Sequence, residues 1–258
     1  LVTGNTVIMK PAEQTPGIAK LLFGILDDAL SEIDSGSDVI QFCPSPGETT
    51  GAALVRDPRV GLIAFNLWMA AINAPVARAV DIYREADGLI LDLRGNPGGL
   101  ADMIRGIAGH LVTEPVLLGR MRTRAVQTPL EFKANPRRST ADGRSVDPFD
   151  GPVAILVDDL TASTSECFAG ALQSLGRARV FGRQTMGQAL PALTKRLPNG
   201  DALMYVIGDF VTSTGVALEG RGVVPDEPVR LSPGALDGGR DPDVDAALRW
   251  LGTVRAGK

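Results

Sequence analysis

Val157-Asp158-Asp159-Leu160-Thr161-Ala162-Ser163-Thr164-Ser165-Glu166-Cys167-Phe168-Ala169-Gly170 is the stretch whose reading decides the fold. Val153 to Val157 is a short apolar run suited to a buried strand, and Phe168, Leu172 and Leu175 then recur at helical spacing. Between them lies a cluster of small and hydroxyl residues. Ser163 thus falls at a strand-to-helix junction, where free N–H groups of the helix start can stabilise an oxyanion. A Ser or Thr before a helix also serves as an N-cap, so this stretch alone supports two readings, a nucleophile turn and a plain cap.

A second unit of the same kind precedes it. Leu89 to Leu93 reads as a strand, Arg94-Gly95-Asn96-Pro97-Gly98-Gly99 as a Gly-rich turn, and Leu100, Met103, Ile104, Ile107 and Leu111 as one face of a helix. A Gly-rich turn at that place either lets a substrate approach bare N–H groups or uses glycine for positive φ in a tight loop. Upstream, Val76, Val80 and Tyr83 lie at helical spacing, with Gly88 as the expected C-cap. Residues 121–150 are polar and turn-rich, which predicts an excursion between core elements that could edge a substrate groove. Pro198-Asn199-Gly200-Asp201 predicts a hairpin turn between strands 192–197 and 202–211, because Asn-Gly suits two positive-φ positions. A last helix is expected from Asp241-Pro242, with Val244, Leu248 and Leu251 facing inward.

Four blocks carry a resemblance. They are Ser163-Thr164-Ser165-Glu166 with the apolar helix after it, Leu91-Asp92-Leu93-Arg94-Gly95-Asn96-Pro97-Gly98-Gly99, Arg179-Val180-Phe181-Gly182 with Thr185 and Gly187, and Leu218-Glu219-Gly220-Arg221-Gly222-Val223-Val224-Pro225-Asp226. In that content and order, residues 66–258 resemble the C-terminal processing peptidases, also called tail-specific proteases. The resemblance implies an α/β chain built as a ClpP/crotonase-like ββα spiral, with a peptide or protein substrate and no cofactor or metal. It makes Ser163 the nucleophile, and Gly98, with Gly99 as the neighbouring candidate, an oxyanion donor facing the N–H of Thr164. Arg94 and Asn96 are expected to brace the loop.

The general base is where the pattern departs from the family. A serine at its free pKa is a poor nucleophile and needs a base within hydrogen-bond reach. The tail-specific enzymes carry a Lys, in a Gly-Lys pair, 25 positions after the serine, and the residue at that distance from Ser163 is Gln188. An amide cannot take the proton. A tricorn-like branch uses Ser, His and Glu, with the Glu near the position of Glu219; the single histidine, His110, is expected at a helix end or on the surface and at the wrong end to reach Ser163. Lys195 falls in the predicted hairpin, where a solvated Lys is expected. Two function classes follow: a serine peptidase weak or inactive for want of its base, and a catalytically silent crotonase-like module that binds peptides or an apolar ligand.

The first 65 residues follow another pattern. Thr6 to Met9 reads as a strand, Thr15-Pro16 as the start of a helix through Ile18, Leu21, Leu22 and Ile25, 38–42 as a strand, 50–55 as a short helix and 60–65 as a third strand. That βαβαβ order is a partial Rossmann-like fragment. Gly4-Asn5-Thr6-Val7, Lys10-Pro11-Ala12-Glu13 and Gly51-Ala52-Ala53-Leu54-Val55 resemble the cofactor domain of aldehyde dehydrogenases, in which the Lys and Glu touch the adenosine ribose and match Lys10 and Glu13. Coverage stops near Phe65, where Phe65-Asn66-Leu67-Trp68-Met69 stands in place of the phosphate-binding turn. A working dehydrogenase and useful nucleotide binding are therefore not expected, and the chain reads as a fusion of fragment 1–65 with catalytic domain 66–258.

Composition narrows the partners. With 44% hydrophobic and 22% charged residues in 258, the chain can build a substantial core. Its net charge of −4 offers no basic stripe for nucleic acid. No apolar run approaches the ~20 residues that span a bilayer, and Leu1-Val2-Thr3-Gly4-Asn5 lacks the basic head and apolar core of a signal peptide. Cys43 and Cys167 lie far apart, which disfavours a disulfide framework, and Cys167 is expected as a small core residue.

Overall fold

The computed structural model describes residues 7–9, 40–42, 80–81, 84, 86–123, 128–140, 142–230 and 241–256. The chain divides into two compact units, Leu1–Ile63 with Leu231–Pro242, and Ala64–Arg230 with Asp243–Lys258. In the first unit, β1 (Val7–Met9) and β2 (Ile40–Phe42) pair in parallel, Val7 opposite Ile40 and Met9 opposite Phe42. Parallel neighbours need a long crossover between them, as the strand–helix–strand pattern of the sequence requires. The helices expected over 15–25 and 50–55, the strand over 60–65, and Lys10, Glu13 and Cys43 lie outside the described residues. So does most of the helix expected before Gly88, of which Val80 and Asp81 are described.

The second unit is built on a four-stranded parallel sheet in the order β11 (Glu227–Pro228), β7 (Arg179–Gly182), β6 (Val153–Val157), β3 (Leu89–Asp92). All five residues of β6 are buried, as expected of a central strand covered on both faces. Its alternation assigns the two layers. Val153, Ile155 and Val157 join one core cluster with Phe168, Ala169 and Leu172 of α2 (Thr164–Ser174) and Ile104 and Ile107 of α1 (Met103–Ala108). Ala154 and Leu156 point the other way, into a smaller cluster with Phe181 and with Ala246 and Ala247 of α3 (Pro242–Ala256).

A second, antiparallel sheet runs β10 (Gly208–Thr212), β4 (Val116–Thr123), β5 (Leu130–Ala134). It packs on the larger core through Leu118, Phe132 and Phe210, the last two rings meeting edge-on at 5.8 Å between centroids. A separate hairpin, β8 (Ala192–Arg196) with β9 (Ala202–Val206), turns at Asn199-Gly200 and exposes all ten strand residues. Among the described residues no helix is long and apolar enough to cross a membrane, and no group of His, Cys, Asp or Glu side chains could hold a metal ion.

Four expectations are corrected. The 121–150 region is not a plain excursion: it contains the end of β4 and all of β5, and Phe132, Ala134 and Phe149 are buried. These strands alternate exposed with buried residues, so they look polar in sequence. The strand expected over 202–211 is two strands with different partners, β9 on β8 and β10 on β4, separated at Ile207. The helix after the Gly-rich turn begins only at Met103, which leaves Leu100 57% exposed. On α3 the expected inward face is met in part: Val244 packs against the smaller cluster and Leu251 lies over Gly88, but Leu248 faces outward at 54% exposed, and the fully buried positions are Asp243, Ala246 and Ala247, with Trp250 half-buried against Phe181. Two alanines let α3 lie close to the sheet, and close approach rather than side-chain size chose the buried face.

Candidate active site

The loops that leave β3, β6 and β7 rise from the same end of the parallel sheet, the end where ligands bind in open α/β folds. Ser163 lies at the junction of the loop after β6 with α2. Its φ of 55° and ψ of −124° make it the sole non-glycine residue with positive φ among those described. Such a conformation costs about 1–3 kcal/mol and persists only where its surroundings impose it.

The surroundings here are specific. Ser163 N–H donates to Gln188 O at 2.9 Å and to Glu166 Oε2 at 2.9 Å. Glu166 is fully buried, and its carboxylate accepts three more hydrogen bonds, from Gly187 N–H at 2.7 Å, Gln188 N–H at 3.0 Å and Thr185 Oγ1. One side chain therefore joins the serine turn to the segment 185–188. The four donors offset the cost of burying its charge. The pattern Ser-x-x-Glu at a helix start is a capping signature, and it is the sequence signal by which Glu166 could have been singled out.

The Gly-rich turn closes the other side. Ala162 N–H donates to Asn96 O at 2.9 Å, Thr161 Oγ1 to Leu93 O at 2.8 Å, Gly95 N–H to Asp158 Oδ1 at 2.8 Å and Thr164 Oγ1 to Gly99 O at 2.8 Å. Gly98, at φ 93°, sits so close that a Cβ there would lie 2.7 Å from Ser163 Cβ and 2.8 Å from Thr164 N. Only glycine fits. Its N–H is engaged by Asn96 Oδ1 at 3.0 Å, whereas the N–H groups of Gly99 and Thr164 have no acceptor among the described residues.

Of the other residues singled out in sequence, Gln188 is beside Ser163 through its backbone, and its side chain belongs to an exposed residue. Glu219 Oε2 accepts Ala189 N–H at 2.7 Å, which ties the 218–224 loop to the segment carrying Gln188. Gly220 N–H adds a bond to Gly187 O at 2.9 Å and Val223 N–H one to Thr185 Oγ1 at 2.7 Å. Lys195 is exposed on β8. His110 is not on the surface: it follows the end of α1, is 2% exposed, and burial, then the charge of Arg137, lowers its pKa to about 4. Cys167 is a buried free thiol pushed up to about 12 by burial and by the neighbouring Glu166. Neither is placed or poised for proton transfer at neutral pH. A shallow apolar crevice lined by Leu100, Met103, Ile104, Ile107 and Phe168 opens beside Gly98, Gly99 and Thr164.

The profile of peptidase family S41 matches residues 59–229, well over half of the chain, and that of the aldehyde dehydrogenase family matches residues 1–66. A carboxyl-terminal-processing protease of Synechocystis sp. is 33% identical over 209 residues, 78% of this chain and 46% of the relative. Among solved structures, a photosystem II D1 C-terminal processing protease superposes with a TM-score of 0.54 at 28% identity, over 72% of this chain and 44% of that one. A lipoprotein from Streptococcus agalactiae, 23% identical, shares the fold at a TM-score of 0.54, over 71% of this chain and 61% of that one. The chain thus spans less than half the length of the curated relative. On the match of residues 59–229, the chain belongs to peptidase family S41.

Proposed function

We propose that the chain is a serine-type peptidase domain that hydrolyses a peptide or protein substrate slowly, with Ser163 as nucleophile and Gly99 and Thr164 as oxyanion donors. The observation that carries this reading is the strained Ser163 backbone, φ 55°, beside two N–H groups with no acceptor among the described residues, Gly99 of the glycine turn and Thr164 at the start of α2. Ser163 Oγ attacks the scissile carbonyl carbon, and the carbonyl oxygen gathers charge opposite those donors. Gly98 keeps the turn close, since its own N–H is held by Asn96. The serine proton has no strong acceptor: Gln188 is an amide, and the Glu166 and Glu219 carboxylates accept backbone N–H groups instead.

General-base assistance is worth about 10²- to 10⁴-fold, so the native chain is expected to be slow and Gln188→Lys to recover part of that factor. Hydrolysis of a fluorogenic peptide measures it. Recovered activity must vanish in the Gln188→Lys, Ser163→Ala double variant; activity that survives there sinks the assignment of Ser163. Binding of peptide with no fluorophosphonate labelling of Ser163 would favour the silent binding module instead. In the same reading, residues 1–65 are an aldehyde dehydrogenase-like fragment joined to the catalytic domain 66–258, with no functional dinucleotide site.

A further inference from the structure

We propose that Asp243 is a positioning residue for the site, acting through Arg94 and Arg183; the proposal rests on the reading of Ser163 as nucleophile. Asp243 lies in the first turn of α3, beyond the stretch matched by the family profile, and is completely buried. A carboxylate is buried at this cost only where cations or donors meet it. Its Oδ2 is 3.1 Å from Arg94 Nη1 and 3.7 Å from Arg183 Nη1. The amino end of a 15-residue helix adds a favourable field for the same charge.

The two arginines open two of the site loops. Arg94 begins the Gly-rich turn and is also held by Asp92, with Nη2 2.6 Å from Oδ2 and Nε 2.9 Å from Oδ1. Arg183 begins the segment 183–188 after β7, and its guanidinium also lies 3.8 Å from Asp158 Oδ2 and 3.4 Å from Asp159 Oδ1. Asp158, at the start of the serine turn, accepts Gly95 N–H of the Gly-rich turn at 2.8 Å and Thr161 Oγ1 at 3.0 Å. Each of the three site loops therefore brings a charged residue to one cluster. Asp243 is the anion that reaches both arginines at once, from an element outside the loops. Moving either arginine by an ångström would move the oxyanion turn or the Gln188 segment relative to Ser163, and displacements of that size can cost about 100-fold in rate.

The test compares Asp243→Asn with Leu251→Ala, which loosens the same helix at its contact with Gly88 without touching the ion cluster. Two readouts are taken on fully folded protein: the rate of fluorophosphonate labelling at Ser163, and deuterium uptake of the segments 93–99 and 183–188. Asp243→Asn is expected to slow labelling by about tenfold to 100-fold and to raise uptake in both segments, while Leu251→Ala leaves both near wild type. Arg183→Gln is the second variant, should Asp243→Asn fail to fold, and is expected to raise uptake in 183–188. Unchanged uptake in the folded charge variants, or the same changes in Leu251→Ala, overturns the proposal. If wild type does not label but uptake rises only in the charge variants, the nucleophile reading fails and the positioning of the turns by Asp243 stands.

Discussion

The loop after β7 and the hairpin β8–β9 are consecutive in sequence and opposite in how they are held. From Thr185 to Ala189 all five backbone donors find partners outside the segment, in the serine turn, the 218–224 loop or Glu166 of α2, and Thr185, Gly187 and Ala189 are buried. From Ala192 to Arg196 and Ala202 to Val206 every residue is exposed, and the strands bond to each other alone. Gln188 stands at the boundary, its backbone tied to Ser163 and Glu166 and its residue exposed. The difference teaches why the side chain at position 188 can change without loss of the fold. What locks the serine turn is main chain and Glu166; an exposed side chain at 188 contributes nothing to that lock.

The comparison is broken most directly at Glu166. Glu166→Ala leaves the N–H groups of Gly187 and Gln188 and the Thr185 hydroxyl without their acceptor, while Ser163 N–H keeps Gln188 O, and is expected to cost about 3 kcal/mol in urea unfolding. A loss below about 1 kcal/mol would mean that the locked side of the contrast is held by something else.

A pH series sharpens the same side. The pKa of His110 is about 4 in the folded protein against 6.5 ordinarily, so between those values the unfolded chain binds the extra proton and stability falls as pH falls. The contribution is complete above about pH 6.5 and is lost towards pH 4, about 3 kcal/mol in all. His110→Phe should remove that part of the acid slope; a slope equal to wild type would show that this histidine is not the titrating group.

The smallest effect belongs to the hairpin. Leu203 and Val206 are 48% and 54% exposed, and Leu203→Ser or Val206→Thr is expected to shift stability by no more than about 0.5 kcal/mol. A loss above about 1.5 kcal/mol in thermal unfolding would contradict the free-standing geometry of β8–β9.

The same contrast explains what could be read before the structure. The strand, serine turn and helix at 153–174 were legible because the apolar period changes abruptly at a run of small residues, and the Gly-rich turn because only glycines tolerate the approach seen at Gly98. The buried face of α3 was legible only in part: Val244 and Leu251 pack inward, but Leu248 does not. Leucine is the more apolar residue, but the two alanines permit contact with the sheet, and this depends on a neighbour that the helix sequence does not contain. Strand β5 was hidden because its alternation of exposed and buried residues resembles a polar loop. Asp243 was not singled out in the sequence, since its partners, Arg94 and Arg183, stand far off along the chain. The segment 185–188 was expected to matter through a side chain, yet it meets Ser163 through its backbone.

The bonds of Glu166 also bear on the order in which the protein comes into being. During synthesis the strand β6, the serine and α2 emerge together, but the carboxylate at the heart of that turn has its remaining donors at Thr185, Gly187 and Gln188, and these are braced in turn by Glu219, Gly220 and Val223. A nascent chain released before residue 185 would therefore carry Ser163 without the contacts that set its backbone, and one released before 219 would carry those contacts without their brace. The conformation of the serine turn is thus completed late in synthesis, and a copy truncated before those donors would lack it.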